Sequence, residues 1–132
     1  MYLEPSPLVA ILLEEHDRDH LLAKVVHAER PVISVVGQFE AALSVGKAIR
    51  NYAAAGSKVA EAIDRLGVKV TGLPADIFDD AIKCYTRYGR GTGYEAKLNF
   101  GDCLSYVMAR RLADGLILFK GGDFSKTDLT PA

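Results

Sequence analysis

The chain carries only two cysteines, Cys84 and Cys103, with no Cys-x-x-Cys pair and no histidine at zinc-finger spacing. That scarcity excludes a disulfide framework and a structural zinc site, leaving two reduced thiols packed as small apolar groups. Long apolar runs are missing as well. The longest near the start, Leu8 to Leu13, is too short to cross a bilayer, and Glu4 precedes it where a signal peptide would carry basic residues. A soluble, cytoplasmic protein with no membrane segment is expected. No linker, composition shift, internal repeat or low-complexity stretch divides the 132 residues, so they predict one domain over residues 1–132. Net charge is nearly absent, at −1, and by itself assigns no nucleic-acid partner.

The charge that is present is unevenly spread. Glu4, Glu14, Glu15, Asp17, Asp19 and Glu29 crowd the first part, whereas Lys83, Arg87, Arg90, Lys97, Arg110, Arg111 and Lys120 fall later. A phosphate-bearing substrate would suit the basic half, and so would an ordinary solvated face.

Periodicity predicts strands alternating with helices. Met1 to Glu4 reads as extended, and Pro5 and Pro7 suit the first turn of a helix running through Leu13. A helix is expected over Arg18 to Ala28, and the β-branched run within Pro31 to Val36 reads as a buried parallel strand. A helical pair follows from Phe39 to Leu66, with its break expected around Ala55-Gly56 and its end at Gly67. Val68 to Thr71 reads as a strand, and Pro74 opens a helix through Tyr85. Gly89 to Gly93 is loop, Asp102 lies in the first turn of another helix, and Leu116 to Phe119 reads as a strand. Leu129 begins or joins a last edge strand. This alternation implies an α/β/α sandwich around a mostly parallel sheet.

On that frame four acids lie near the carboxyl ends of strands: Glu4, Glu40, Asp102 and Asp123. Each has an individual explanation as a helix cap or a surface acid. If they converge, two carboxylates about 6 Å apart repel by roughly 3 kcal/mol at an effective dielectric of about 20. A divalent cation, protonation or an inserted Lys or Arg must then offset the repulsion, and all-oxygen ligation favours Mg²⁺ or Mn²⁺. Metal-assisted hydrolysis of a phosphodiester is the matching chemistry. Arg87, Arg90 and Lys97 flank the glycine loop, where they would hold substrate phosphates without reading sequence. Asp128 reads either as a loop acid or as an outer member of the acidic set. Two other patterns carry little. Gly89-x-Gly91-x-Gly93 follows a helix rather than a strand, unlike a dinucleotide fingerprint, and His16 and His20 lack the His-Glu-x-x-His acid.

Tyr2 to Leu12, Ser34 to Glu40, Arg87 to Gly93, Leu98-Asn99-Phe100-Gly101-Asp102-Cys103 and Phe119-Lys120-Gly121-Gly122-Asp123-Phe124 together resemble the PIN-domain ribonucleases, specifically the VapC-type toxins of bacterial toxin-antitoxin systems. The resemblance runs in order along essentially the whole chain. It implies a metal-dependent endoribonuclease with a PIN-like sandwich fold, Mg²⁺ or Mn²⁺ as cofactor and an RNA substrate. A cognate VapB-like antitoxin would neutralise it, and an antitoxin arginine in the acidic pocket would replace the cation. The resemblance further implies a homodimer, and contact with DNA only indirectly through the antitoxin. By position, Glu40, Asp102 and Asp123 match the acidic site, and Ser6 matches a hydroxyl residue supporting it.

Glu4 departs from the pattern, since these proteins usually carry aspartate there, two residues before the serine. The extra methylene moves the carboxylate by about an ångström, a misplacement that can cost on the order of a hundredfold in rate. A catalytically weakened module that mainly binds antitoxin or RNA is therefore the alternative reading. Apolar surface around Leu8 to Leu13 and Leu43 to Tyr52 is where an antitoxin segment would lie, though core packing accounts for most of it.

Overall fold

The computed structural model describes all of Met1–Ala132. Its elements run β1 (Tyr2–Leu3), α1 (Pro5–Leu12), α2 (Arg18–His27), β2 (Val32–Ser34), α3 (Val35–Ile49), α4 (Tyr52–Arg65), β3 (Lys69–Thr71), α5 (Phe78–Tyr88), α6 (Phe100–Leu112), β4 (Leu116–Leu118), a 3₁₀ turn (Phe124–Lys126) and β5 (Thr130–Pro131). The sheet order is β3-β2-β1-β4-β5, and every pairing is parallel. The chain lays β2 and β3 to one side of β1 and then returns to lay β4 and β5 on the other. That reversal opens a crevice beyond the carboxyl ends of β1 and β4, the usual ligand position in open parallel sheets.

The strands are short, yet the three central ones, β1, β2 and β4, each serve both faces. Tyr2, Val32 and Ile117 enter one core with Tyr88, Leu98, Val107 and Met108 from the side of α5 and α6. Leu3, Ile33 and Leu118 enter the other with Leu8, Ile11, Val25, Val45, Val59 and Ile63 from α1 to α4. Period-two alternation thus places helices on both sides of the sheet. Burying each Leu or Ile contributes about 1.5–3 kcal/mol, which the two cores multiply into the main stabilising term. Cys84 and Cys103 are free and buried, and both belong to the second core. No helix is long and apolar enough to cross a membrane.

Several element boundaries differ from the sequence expectation. β2 stops at Ser34 rather than Val36, because the Ser34 hydroxyl accepts the Gly37 N–H at 3.0 Å and caps α3. That capping carries β-branched Val35 and Val36 into a helix. The break in the helical pair falls at Arg50-Asn51, not Ala55-Gly56. Arg50 ends α3 in the left-handed region at φ 56°, and Asn51 caps α4 through the Ala54 N–H at 3.0 Å. Gly56 is simply a residue of α4. The helix expected to open at Pro74 instead starts at Phe78, after a turn in which the Ile77 N–H donates to the Pro74 carbonyl. β4 stops at Leu118, one residue short of Phe119.

Candidate active site

Glu4 leaves β1 and caps α1. Its backbone N–H donates to the Leu118 carbonyl at 3.0 Å, which ties this corner to β4. One carboxylate oxygen accepts the Ser6 N–H at 2.8 Å and also the Ser6 hydroxyl. The Lys120 N–H in turn donates to the Ser6 hydroxyl at 3.0 Å. Ser6 therefore links the start of α1 to the loop after β4.

Glu40 arrives from a different direction, on the second turn of α3. The start of that helix is fixed by Ser34, whose hydroxyl also accepts from the buried Tyr2 hydroxyl at 3.0 Å. Asp102 comes from the first turn of α6 in a reciprocal capping box. Its carboxylate accepts the Asn99 N–H at 2.8 Å, and the Asn99 side chain accepts the Asp102 N–H at 2.9 Å. The two readings offered for these acids are thus not exclusive: Glu4 and Asp102 are both helix caps and members of one acidic group.

Glu4, Ser6, Glu40 and Asp102 line a single cavity of about 360 Å³ together with Ser44, Asn99, Glu15 and Lys120. Gly101 leaves room for the Glu40 carboxylate against the start of α6, since a β-carbon at that position would overlap it. The three acids disturb one another electrostatically. Burial pushes the Glu4 carboxyl up to about 7 against the pull of its Ser6 bonds, and the charges on Asp102 and Glu40 push the same way. Burial, followed by the Asp102 charge, raises Glu40. Burial also raises Asp102; its Asn99 bond opposes this, the Asp123 charge adds to it, and Arg90 opposes it.

Asp123 stands at the rim. It is exposed and does not line the cavity, although its charge reaches Asp102. As arranged, no three His, Cys, Asp or Glu side chains form a ready-made metal cluster. The donor chemistry still suits a hard divalent cation: the converging groups are carboxylates and hydroxyls, and Glu4, Glu40 and Asp102 enter no salt bridge.

The basic residues divide. Arg90 lies near enough to Asp102 to stabilise its charge, and its Nε donates to the Lys97 carbonyl at 3.1 Å. Lys97 is exposed, at φ 51°. Arg87 belongs elsewhere, in a cleft between α5 and α6, where it pairs with Asp128 at 3.5 Å. Asp128 also accepts the Tyr106 hydroxyl at 2.7 Å. It is a structural loop acid, outside the acidic cavity.

Sequence reasoning missed the partners of Lys120. Its ammonium reaches across to Glu15 and to Asp17, the latter at 2.9 Å, bracing the loop after β4 against the turn between α1 and α2. The sequence shows the three charges but not that they meet, because they lie more than a hundred residues apart. The stretch Leu8 to Leu13 likewise offers little free surface, since Leu8 and Ile11 are core residues.

Residues 1–129 match the PIN domain family. The chain is 33% identical to Ribonuclease VapC30 of Mycobacterium tuberculosis over 129 residues, covering 98% of this chain and 95% of that protein. It is also 33% identical to a Ribonuclease VapC of Mycolicibacterium smegmatis, over 98% of this chain and 97% of that one. Ribonuclease VapC42 of M. tuberculosis is 40% identical over 79 residues, which span 57% of this chain and only 60% of the relative. The crystal structure of M. tuberculosis VapC20, described as a sarcin-ricin loop cleaving toxin, shares the fold with a TM-score of 0.74 at 21% identity, over 98% of this chain and 95% of that one. With its parallel sheet and the acids gathered at the switch point, the chain belongs to the PIN-domain family and, within it, to the VapC ribonuclease toxins.

Proposed function

We propose that the chain, acting as a single PIN-like domain over residues 1–132, is a metal-dependent endoribonuclease that hydrolyses RNA phosphodiester bonds in the cytoplasm. The observation that carries this reading is the convergence of Glu4, Glu40 and Asp102 from three separate elements on one cavity, each raised by burial and by a neighbouring carboxylate. Glu4, Glu40 and Asp102, with Asp123 at the rim, would hold Mg²⁺ or Mn²⁺. Such a cation supplies charge neutralisation at the phosphodiester and activation of water. Ser6 fixes one oxygen of Glu4, Asn99 fixes one of Asp102, and Gly101 lets Glu40 close on them. Arg90, whose charge acts on Asp102, and Lys97 would meet phosphates entering the site.

The test is cleavage of structured RNA by purified, antitoxin-free protein, with Mg²⁺ and with EDTA. Activity that needs the metal and disappears in Asp102→Asn is expected. Cleavage untouched by Asp102→Asn rejects the site.

A second reading has its own observation. The Ser6 bonds already engage Glu4, whose longer side chain replaces the usual aspartate, so this corner would hold the cation more weakly. Cleavage by Glu4→Asp but not by the chain itself supports a weakened module whose main task is binding. Equal Mg²⁺ affinity of the two proteins removes that idea.

A cognate VapB-like antitoxin would neutralise the toxin by covering exposed apolar surface such as Leu43 and Tyr52 and by sending an arginine into the acidic cavity, with DNA reached only through the antitoxin. The homodimer expected for these toxins has candidate faces in the exposed apolar stripes of α3 and α5.

A further inference from the structure

A second concavity, a cleft of about 280 Å³, lies between α5 and α6. Lys83, Arg87 and Arg110 line it, with Tyr88 and Tyr106 as walls. Resting on the ribonuclease reading above, we infer that this cleft is a second RNA-binding site, holding backbone phosphates of the single strand a few nucleotides from the cleavage point.

The cations there are loosely committed. Arg110 enters none of the chain's ion pairs. Lys83 approaches Asp80 only at 3.9 Å and is 79% exposed, and the Arg87 contact with Asp128 is 3.5 Å long. Exposed pairs of this length contribute little, so a phosphate exchanges for the carboxylate at small cost. Arg111 differs from the others: Asp76 at 2.7 Å and Asp80 at 2.6 Å hold it, and it serves as wall.

The aromatic walls are occupied too. Arg87 sits 4.7 Å from the centre of the Tyr88 ring, and Tyr106 packs against Tyr88 while its hydroxyl binds Asp128. With the Tyr88 ring covered by Arg87 and Tyr106 and three cations in the lining, the cleft recognises backbone charge rather than sequence.

The cleft also connects to the acids. Lys83 and Arg87 are one turn apart on α5, and Arg90 follows just beyond its end, where its charge acts on Asp102. On α6, Asp102 of the acidic cavity and Arg110 of the cleft are eight positions apart, about 12 Å along the axis. A line of cations therefore leads from the cleavage site into the cleft. Asp80 and Asp128 at its edges keep the grip weak enough for release.

The test uses the full chain carrying Asp102→Asn, so that RNA is bound without being cut. Fluorescence anisotropy as a function of KCl compares it with the same chain bearing Lys83→Gln and Arg110→Gln, on a trinucleotide and on a longer single strand. The double substitution is expected to weaken the longer RNA about tenfold, to lower the slope of log affinity against log salt by about 1.4, and to leave the trinucleotide unaffected. With Asp102 restored, KM for the longer RNA rises while kcat holds. Equal affinity and equal slope for the two proteins overturn the inference. So does an acidic peptide that competes only when Lys83 and Arg110 are intact while RNA binding ignores them, which would make the cleft a protein-docking site. If no RNA is cleaved by the parent chain, the ribonuclease reading fails, and the salt slope still decides the cleft on its own.

Discussion

The Glu4 carboxyl accepts two hydrogen bonds from Ser6 that favour its charged form, and burial still lifts it to about 7. The consequence for stability has a definite sign. A carboxyl whose folded value lies above its unfolded value of 4.5 favours the fold below pH 4.5, and that contribution is lost as pH rises through about 7. Denaturant unfolding in EDTA is expected to show stability falling across this window by about 3 kcal/mol at most, with a flatter profile for Glu4→Gln. An unchanged profile in that variant would assign the slope to other groups. Gly101 offers a second test at this scale. A methyl group in Gly101→Ala would press on the Glu40 carboxylate, so ribonuclease activity should fall by one to two orders of magnitude, while the melting temperature moves only a few degrees. Full activity in that variant would show that the position of the Glu40 carboxylate beside Gly101 is irrelevant to the reaction.

At the scale of elements, junctions rather than interiors set the geometry. Arg50 closes α3 in the left-handed region, where a side chain is disfavoured and glycine is not. Arg50→Gly is expected to stabilise the protein by roughly 0.5 kcal/mol, read as a melting temperature higher by a few degrees, and a lower value would mean that the Arg50 side chain contributes more than its backbone costs. The Lys120 brace joins two loops that meet only at the site. Lys120→Met should lower kcat more than it raises KM, because it frees the loop leading to Asp123, and pairing Lys120→Glu with Glu15→Lys should restore part of the loss. No recovery in the paired variant would leave the Lys120 contact without a positioning role. The boundaries missed by periodicity, at Ser34 and at Arg50-Asn51, were missed for one reason. Capping hydrogen bonds decide where an element stops, and a β-branched run or an isolated glycine does not outweigh them.

For the whole molecule, six of the exposed apolar residues form two stripes, one on α3 and one on α5. Val35, Phe39 and Leu43 repeat every four residues on α3, and Phe78, Ile82 and Tyr85 follow the same helical spacing on α5, with Phe39 and Phe78 62% and 68% exposed. Stripes of this kind on a small protein mark an interface. Sedimentation velocity is expected to show a homodimer that Phe39→Asp converts to monomer with its circular dichroism intact; a parent chain that sediments as monomer at every concentration removes the homodimer.

The sequence by itself determined the alternation of strands and helices and the sandwich built on it, because periodicity is a local property of the chain. Leu3 beside Tyr2 and Ile33 beside Val32 already specify two buried faces. Tertiary structure alone decided which charges meet. It brought Glu4, Glu40 and Asp102 to one cavity, left Asp123 at the rim, sent Arg87 to Asp128 in a separate cleft, and set Lys120 against Glu15 and Asp17. The physical reason lies in the strand order. Placing β1 between β2 and β4 is settled by burial across the whole sheet, and that placement fixes which loops face one another.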